Sequence, residues 1–140
     1  MMPGNQADFF TERQMGTLPG LLEIQWQSVA ADGVSGGFKV DAKHMAPNGF
    51  LHAASVIALV DSACGYGCVT ALPEGASGFT TLEIKANYLS TARIGDEVKC
   101  AARLVHGGRN TQVWDAEAVN QTTGKTMALF RCTQMVLWPR

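Results

Sequence analysis

The chain has 140 residues, a net charge of −1 and 16% charged side chains with no block of like charge, which argues against nucleic acid or an anionic membrane as its main partner. One domain is expected over residues 1–140, with a core about 22–138 that is large enough to stand without disulfide or metal staples. The four cysteines, Cys64, Cys68, Cys100 and Cys132, lack zinc-ribbon spacing and read as core thiols, while the sparse charge suggests that a second subunit covers part of the surface.

The opening MMPGNQADFF has no basic region followed by an apolar run, so no secretory signal is expected and a cytoplasmic location is the default. No uninterrupted apolar stretch of membrane-spanning length is apparent. Residues 5 to about 20 read as a short helix ending near Pro19-Gly20. Leu22, Ile24, Trp26 and Ser28 then alternate with Glu23, Gln25 and Gln27, which is strand periodicity. Asp32-Gly33 and Gly36-Gly37 bracket a turn, after which Gly37 to Asp41 returns as a second strand. Pro47 and Asn48-Gly49 break the segment before the next element.

From about His52 to Ala71 the apolar residues recur at three- and four-residue steps and cover most of the circumference. That pattern predicts a helix of about five turns enclosed by the rest of the domain. Four strands follow: Thr80 to Leu89, Glu97 to Leu104, Trp114 to Val119 and Met127 to Trp138. Hairpin-type turns separate them at Gly95-Asp96, Gly107-Gly108 and Thr123-Gly124. Asn120-Gln121-Thr122 matches a glycosylation acceptor, which carries little meaning without a signal. The order predicts an α+β domain whose curved antiparallel sheet wraps round the long helix. Pairing of two sheet edges would remove the aggregation hazard of an open edge.

Asp61 is the most informative residue. It stands within Val56-Ile57-Ala58-Leu59-Val60-Asp61-Ser62-Ala63-Cys64, the most apolar part of the enclosed helix. An unpaired buried carboxylate costs several kcal/mol or becomes protonated. Two readings are open: a structural Asp bonded to backbone or solvent, and a nucleophile or general base in a cleft. At the start of the same helix, Asn48-Gly49-Phe50-Leu51-His52-Ala53-Ala54 presents free N–H groups and the positive dipole end. Ala53 and Ala54 are small enough for a carbonyl to approach, which makes this end a candidate oxyanion hole. His52 by itself reads as a capping residue.

Asp61 lies eight residues beyond Ala53, roughly 12 Å along the axis at ~1.5 Å per residue. Reacting atoms must come within ~3–3.5 Å. If both groups serve one site, they come from different subunits in a two-fold dimer with two composite sites.

These motifs resemble the hot-dog-fold acyl-CoA thioesterases of the phenylacetate-degradation (PaaI-like) group. The likeness runs from about Leu22 to Val136. It rests on the Asn/Gly loop, His52, the acidic residue nine positions on, Thr80-Thr81-Leu82 with Tyr88-Leu89, Gly95-Asp96, and Gly108-Arg109. This chain departs from the family pattern at Ala53-Ala54, where Gly-Gly is usual, at Ser90-Thr91-Ala92, and in the short distance from Asn48 to His52. The resemblance implies hydrolysis of an acyl-CoA thioester to free acid and CoA. Asp61 would act as nucleophile or general base, with Ala53, Asn48 and His52 completing the catalytic set. It further implies substrate or CoA contacts at Gly49, Ala54, Thr81, Leu82, Lys85, Arg93 and Arg109, and no metal or cofactor beyond the CoA of the substrate. A homodimer is the implied assembly, with a dimer of dimers as its extension.

Three other readings compete. A hydratase of the same fold places an Asp before a His in a short run, whereas here His52 precedes Asp61. A non-catalytic acyl-CoA or aromatic-ligand module is favoured by the Ala-for-Gly change. A metal protein would use His44, His52 or Cys64 and Cys68. Phe50, Tyr66, Phe79 and Trp114 are the candidates for an aromatic pocket.

Overall fold

The computed structural model describes residues 5–140; the first four residues, which the expected domain and the reading of its N-terminus include, lie outside the described residues. Two short helices, α1 (Ala7–Arg13) and α2 (Leu18–Leu21), precede strands β1 (Gln25–Val29) and β2 (Gly33–Lys39). A 3-10 turn (Ala42–His44) leads into the long helix α3 (Ala53–Thr70), and β3 (Gly78–Tyr88), β4 (Glu97–Gly107), β5 (Thr111–Asn120) and β6 (Lys125–Leu137) complete the chain. The six strands form one sheet in the order β1-β2-β4-β5-β6-β3, with every neighbouring pair antiparallel. This is the expected α+β architecture, with α3 lying across the concave face of the sheet.

Small side chains let the helix approach the strands. Cys100, Ala102, Ala116, Ala118, Ala128 and Cys132 belong to the core that also holds Leu59, Val60, Ala63 and Cys64 of α3. At Gly67 a Cβ would overlap the indole of Trp114, which is fully buried. All four cysteines are buried thiols, as expected. By length and mean hydropathy α3 is a candidate membrane span, although Asp61 interrupts its apolar run and 61% of it is buried inside the domain. A helix apolar nearly all round fits either solvent, and here the sheet supplies the apolar one.

Several boundaries differ from those expected. The N-terminal helix is two helices, because Gly16 sits at φ +79° between them and Pro19 opens the second rather than ending the first. The first strand begins at Gln25 because Glu23 adopts φ +54°. The second strand starts at Gly33 and includes Gly36-Gly37, read as a turn from sequence. A Cβ at Gly36 would strike Trp26, and one at Gly37 the Val98 carbonyl, so these glycines serve close strand and ring packing.

The two edges are unlike. β1 is short and α1 packs beside it, its neighbour Gln6 donating its N–H to the Val29 carbonyl at 2.9 Å. β3 has 11 residues, is mostly exposed along its length, and carries Leu82, Ile84 and Tyr88 at the surface.

Candidate active site

α3 carries both chemical features noted in the sequence, at separate places. Asp61 is only partly covered, but its Oδ1 is buried and has no hydrogen-bond partner among the described residues. Burial pushes the pKa of this carboxyl up, since a desolvated carboxylate is disfavoured against its neutral form. The group faces a cleft of about 750 Å³. Asp61, Ser62, Gly65, Tyr66 and Val69, one face of α3, form its floor. α1 supplies one wall, and Phe79 and Thr81 of β3 supply the other.

The walls are held by packing and by one buried polar network. Phe10 stacks on Tyr66 with ring centroids 4.5 Å apart. The Gln14 amide oxygen accepts from Trp26 Nε1 at 2.9 Å and from the Tyr66 hydroxyl at 3.0 Å, while its nitrogen donates to the Ile24 carbonyl at 2.5 Å. Every polar atom of this buried side chain is thereby used, and α1 is tied to both β1 and α3. Across the floor, a Cβ on Gly65 would lie 3.0 Å from Phe79 Cζ, so glycine gives that ring its place in the cleft. Arg13 stands at the rim with its guanidinium 6.0 Å from the Phe9 ring centroid.

At the other end of the helix, His52 is the N-cap. Its Nδ1 accepts the Ala54 N–H at 3.0 Å, and its carbonyl accepts the Ser55 N–H at 3.0 Å. The Tyr88 hydroxyl donates to the Ala53 carbonyl at 2.9 Å. Ala53 is the first helical residue, so its N–H has no acceptor within the helix. Asn48 is exposed and its Oδ1 accepts the Phe50 N–H at 3.2 Å, shaping the loop in which Gly49 takes φ +87°. A smaller hollow of about 220 Å³ opens here, lined by Phe50, Leu51, Ala53, Val56 and Tyr88 among others.

The structure therefore brings Thr81 to Asp61, and Asn48, Gly49, His52, Ala53 and Ala54 to one another, but leaves the two groups at separate points along the chain. Leu82 sits at the irregularity of pairing between Thr81 and Glu83 and is exposed on the strand edge. Lys85 lines a different groove, on the outer sheet face with Arg103, Asp115 and Arg131. Arg93 lies in the turn before β4, where its N–H donates to Asp96 Oδ2. Arg109 lies over the Trp138 ring at 4.2 Å from its centroid. None of these three basic residues lines the Asp61 cleft.

Of the aromatic candidates, Tyr66 and Phe79 line that cleft and Phe50 lines the smaller hollow, but Trp114 belongs to the core. Phe9, Phe10, Arg13, Gln14 and Thr17 complete the cleft without a sequence signal, because their place depends on how α1 docks. His44 has both ring nitrogens engaged: Nδ1 accepts the Asp41 N–H at 2.9 Å, and Nε2–H donates to the Leu22 carbonyl at 2.7 Å. It has no lone pair left for a metal. Asn120 is buried, with its amide nitrogen bonded to Asp96 Oδ2 at 2.9 Å, so the apparent glycosylation acceptor is a structural tie.

Comparison with known proteins gives the family and the fold. Residues 48–127 match the family model described as the thioesterase superfamily. The chain is 30% identical over 125 residues to 1,4-dihydroxy-2-naphthoyl-CoA hydrolase of Escherichia coli, covering 87% of this chain and 88% of that protein. Its fold matches a mutant thioesterase from Pseudomonas aeruginosa with a TM-score of 0.88 at 26% identity, covering 98% of this chain and 96% of the other. It also matches a Streptococcus mutans protein bound to acetyl CoA, with a TM-score of 0.75 at 26% identity, covering 84% and 90% respectively.

Proposed function

The chain belongs to the thioesterase superfamily, as a thioester hydrolase of the PaaI-like hot-dog kind, and from that premise we propose that it hydrolyses acyl-CoA thioesters at sites shared between two protomers. Asp61 of one protomer and the Ala53 N–H of its partner serve each site. The observation that carries this reading is the buried, unpartnered Oδ1 of Asp61 on the cleft. A carboxylate kept without a partner in an apolar helix is retained for a reacting group.

The composite site follows from lengths. Thr81, beside Asp61, and Tyr88, beside Ala53, are seven residues apart on β3, about 23 Å at ~3.3 Å per residue. An antiparallel pairing of β3 with the partner's β3, centred near Ile84, sets Thr81 of one chain near Asn87 of the other. The Asp61 cleft then meets the partner's helix N-terminus. The exposed edge with Leu82, Ile84 and Tyr88 supports this pairing, because an open apolar edge calls for cover. A dimer of dimers through the outer sheet face would extend the same assembly.

In the general-base route, Asp61 takes a proton from water as the water oxygen attacks the thioester carbon. The oxyanion is held by the partner's Ala53 N–H. Collapse expels the CoA thiolate, which takes the proton back from Asp61. In the nucleophilic route Asp61 itself attacks, CoA leaves, and water hydrolyses the anhydride. Single turnover in ¹⁸O water that labels the Asp61 carboxylate marks the second route with water attacking the aspartyl carbonyl, since the first route puts label only in the product acid.

Subunit complementation tests the shared site. Ala53→Pro removes one N–H at a first helical position, where proline fits, and the extended His52 (φ −67°, ψ 131°) tolerates a following proline. Homodimers of Ala53→Pro and of Asp61→Asn are each expected to lose roughly 10²–10³ in kcat. Mixed and re-associated dimers regain turnover, since one of their two sites carries neither change. Mixtures as inactive as the parents would overturn the composite site.

A further inference from the structure

Resting on the reading just given, we propose that Tyr88 is a positioning residue that aims the Ala53 N–H at the thioester carbonyl. The argument is a count of the bonds in the first turn of α3. The peptide unit between Ala53 and Ala54 is gripped at both ends: its carbonyl accepts the Tyr88 hydroxyl at 2.9 Å, and its N–H donates to His52 Nδ1 at 3.0 Å. The Ser55 N–H is occupied by the His52 carbonyl at 3.0 Å. Of the first three N–H groups of the helix, only that of Ala53 is left without a partner among the described residues to meet a ligand, beside the hollow lined by Phe50, Ala53 and Tyr88.

A helix N-terminus frays unless its first turn is tied down, and an oxyanion donor must be held closely to its productive geometry. His52 grips from the loop side, within the same turn. Tyr88 grips from β3, 35 residues away in sequence, and so fixes the helix end to the strand that carries Thr81 and forms the exposed edge. The donor, the cleft wall and the proposed dimer contact thus share one rigid element. Partial burial pushes the Tyr88 pKa up, so the phenol keeps the proton it donates.

The test is a double-mutant cycle on the full-length protein. Tyr88→Phe removes only the hydroxyl. It is expected to lower kcat on acetyl-CoA or benzoyl-CoA, whichever is turned over faster, roughly 10-fold, with KM within twofold and the dimer intact on gel filtration. Introduced into Ala53→Pro, where the aimed donor is already gone, the same change is expected to do almost nothing. A wild-type kcat in Tyr88→Phe would overturn the proposal. So would a full 10-fold loss in the Ala53→Pro background, which would give the hydroxyl another task. A rise in KM alone would make Tyr88 a substrate contact instead. Wild-type turnover by Ala53→Pro itself would instead sink the oxyanion assignment on which the proposal rests.

Discussion

Two aspartates on opposite sides of one sheet show how differently a fold can treat the same side chain. Asp115, on the outer face of β5, is held by Arg131 Nε at 2.5 Å and Arg103 at 3.3 Å, and these cations keep its carboxyl below the usual range. Asp61, on the helix side, has a buried oxygen without a partner, and burial pushes its pKa up. A carboxylate that serves structure is surrounded by donors. The carboxyl of Asp61 is left short of them, at a cost to stability that the proposed substrate site would account for.

The comparison is sharpest in activity. Asp61→Asn should lower kcat/KM by roughly 10³-fold while circular dichroism stays unchanged, which is within the range for loss of a general base. Asp115→Asn should leave turnover within twofold. Equal losses in the two variants, measured by thiol release from acyl-CoA, would break the contrast. Next in size, Ile84→Glu on the exposed strand edge should yield a monomer by light scattering and lose about 10²-fold in turnover, because each half-site loses its complement.

The pH profile separates the two carboxyls by sign. The proposed chemistry needs Asp61 ionised, so kcat/KM should fall with decreasing pH through a value above that of an ordinary carboxyl, near 3.9. For stability, Asp61 is raised in the folded state, so its contribution is present below the unfolded pKa and lost as pH rises through the folded one. Asp61→Asn should therefore gain on the order of 1 kcal/mol at neutral pH, shrinking towards zero below about pH 4. Asp115 is depressed, so its contribution is present above the unfolded pKa and lost as pH falls through the folded one. With Arg103 and Arg131 largely exposed, solvent screens the pair, and Asp115→Asn should cost at most about 1 kcal/mol. Thermal melts from pH 3 to 8 read both effects.

The residues around α3 explain why so much of this was legible. An apolar period of three to four over residues 52–71 predicts a helix covered on most sides, and any acid within it stands out. Strand β5 and the first half of β4 alternate because one face of each packs into the core under that helix. The glycines of β2 were misread for the opposite reason. Gly36 and Gly37 look like turn residues, yet they answer to Trp26 and Val98 on neighbouring strands, and no local pattern reports a neighbour.

Local periodicity and composition by themselves determined the element order, the enclosed helix, the carboxylate out of place at Asp61 and the spacing that forbids one protomer from joining it to Ala53. These follow from the 3.6- and 2-residue periods and from the rise per residue, which are properties of the backbone alone. Only the tertiary structure decided that α1 and the residue after it wall the cleft through Phe9, Phe10 and Gln14, that Lys85 faces the far side of the sheet, and that Tyr88 holds the helix end. Each of these is a meeting of residues far apart in the chain, set by which surfaces pack together, and packing is not a local quantity.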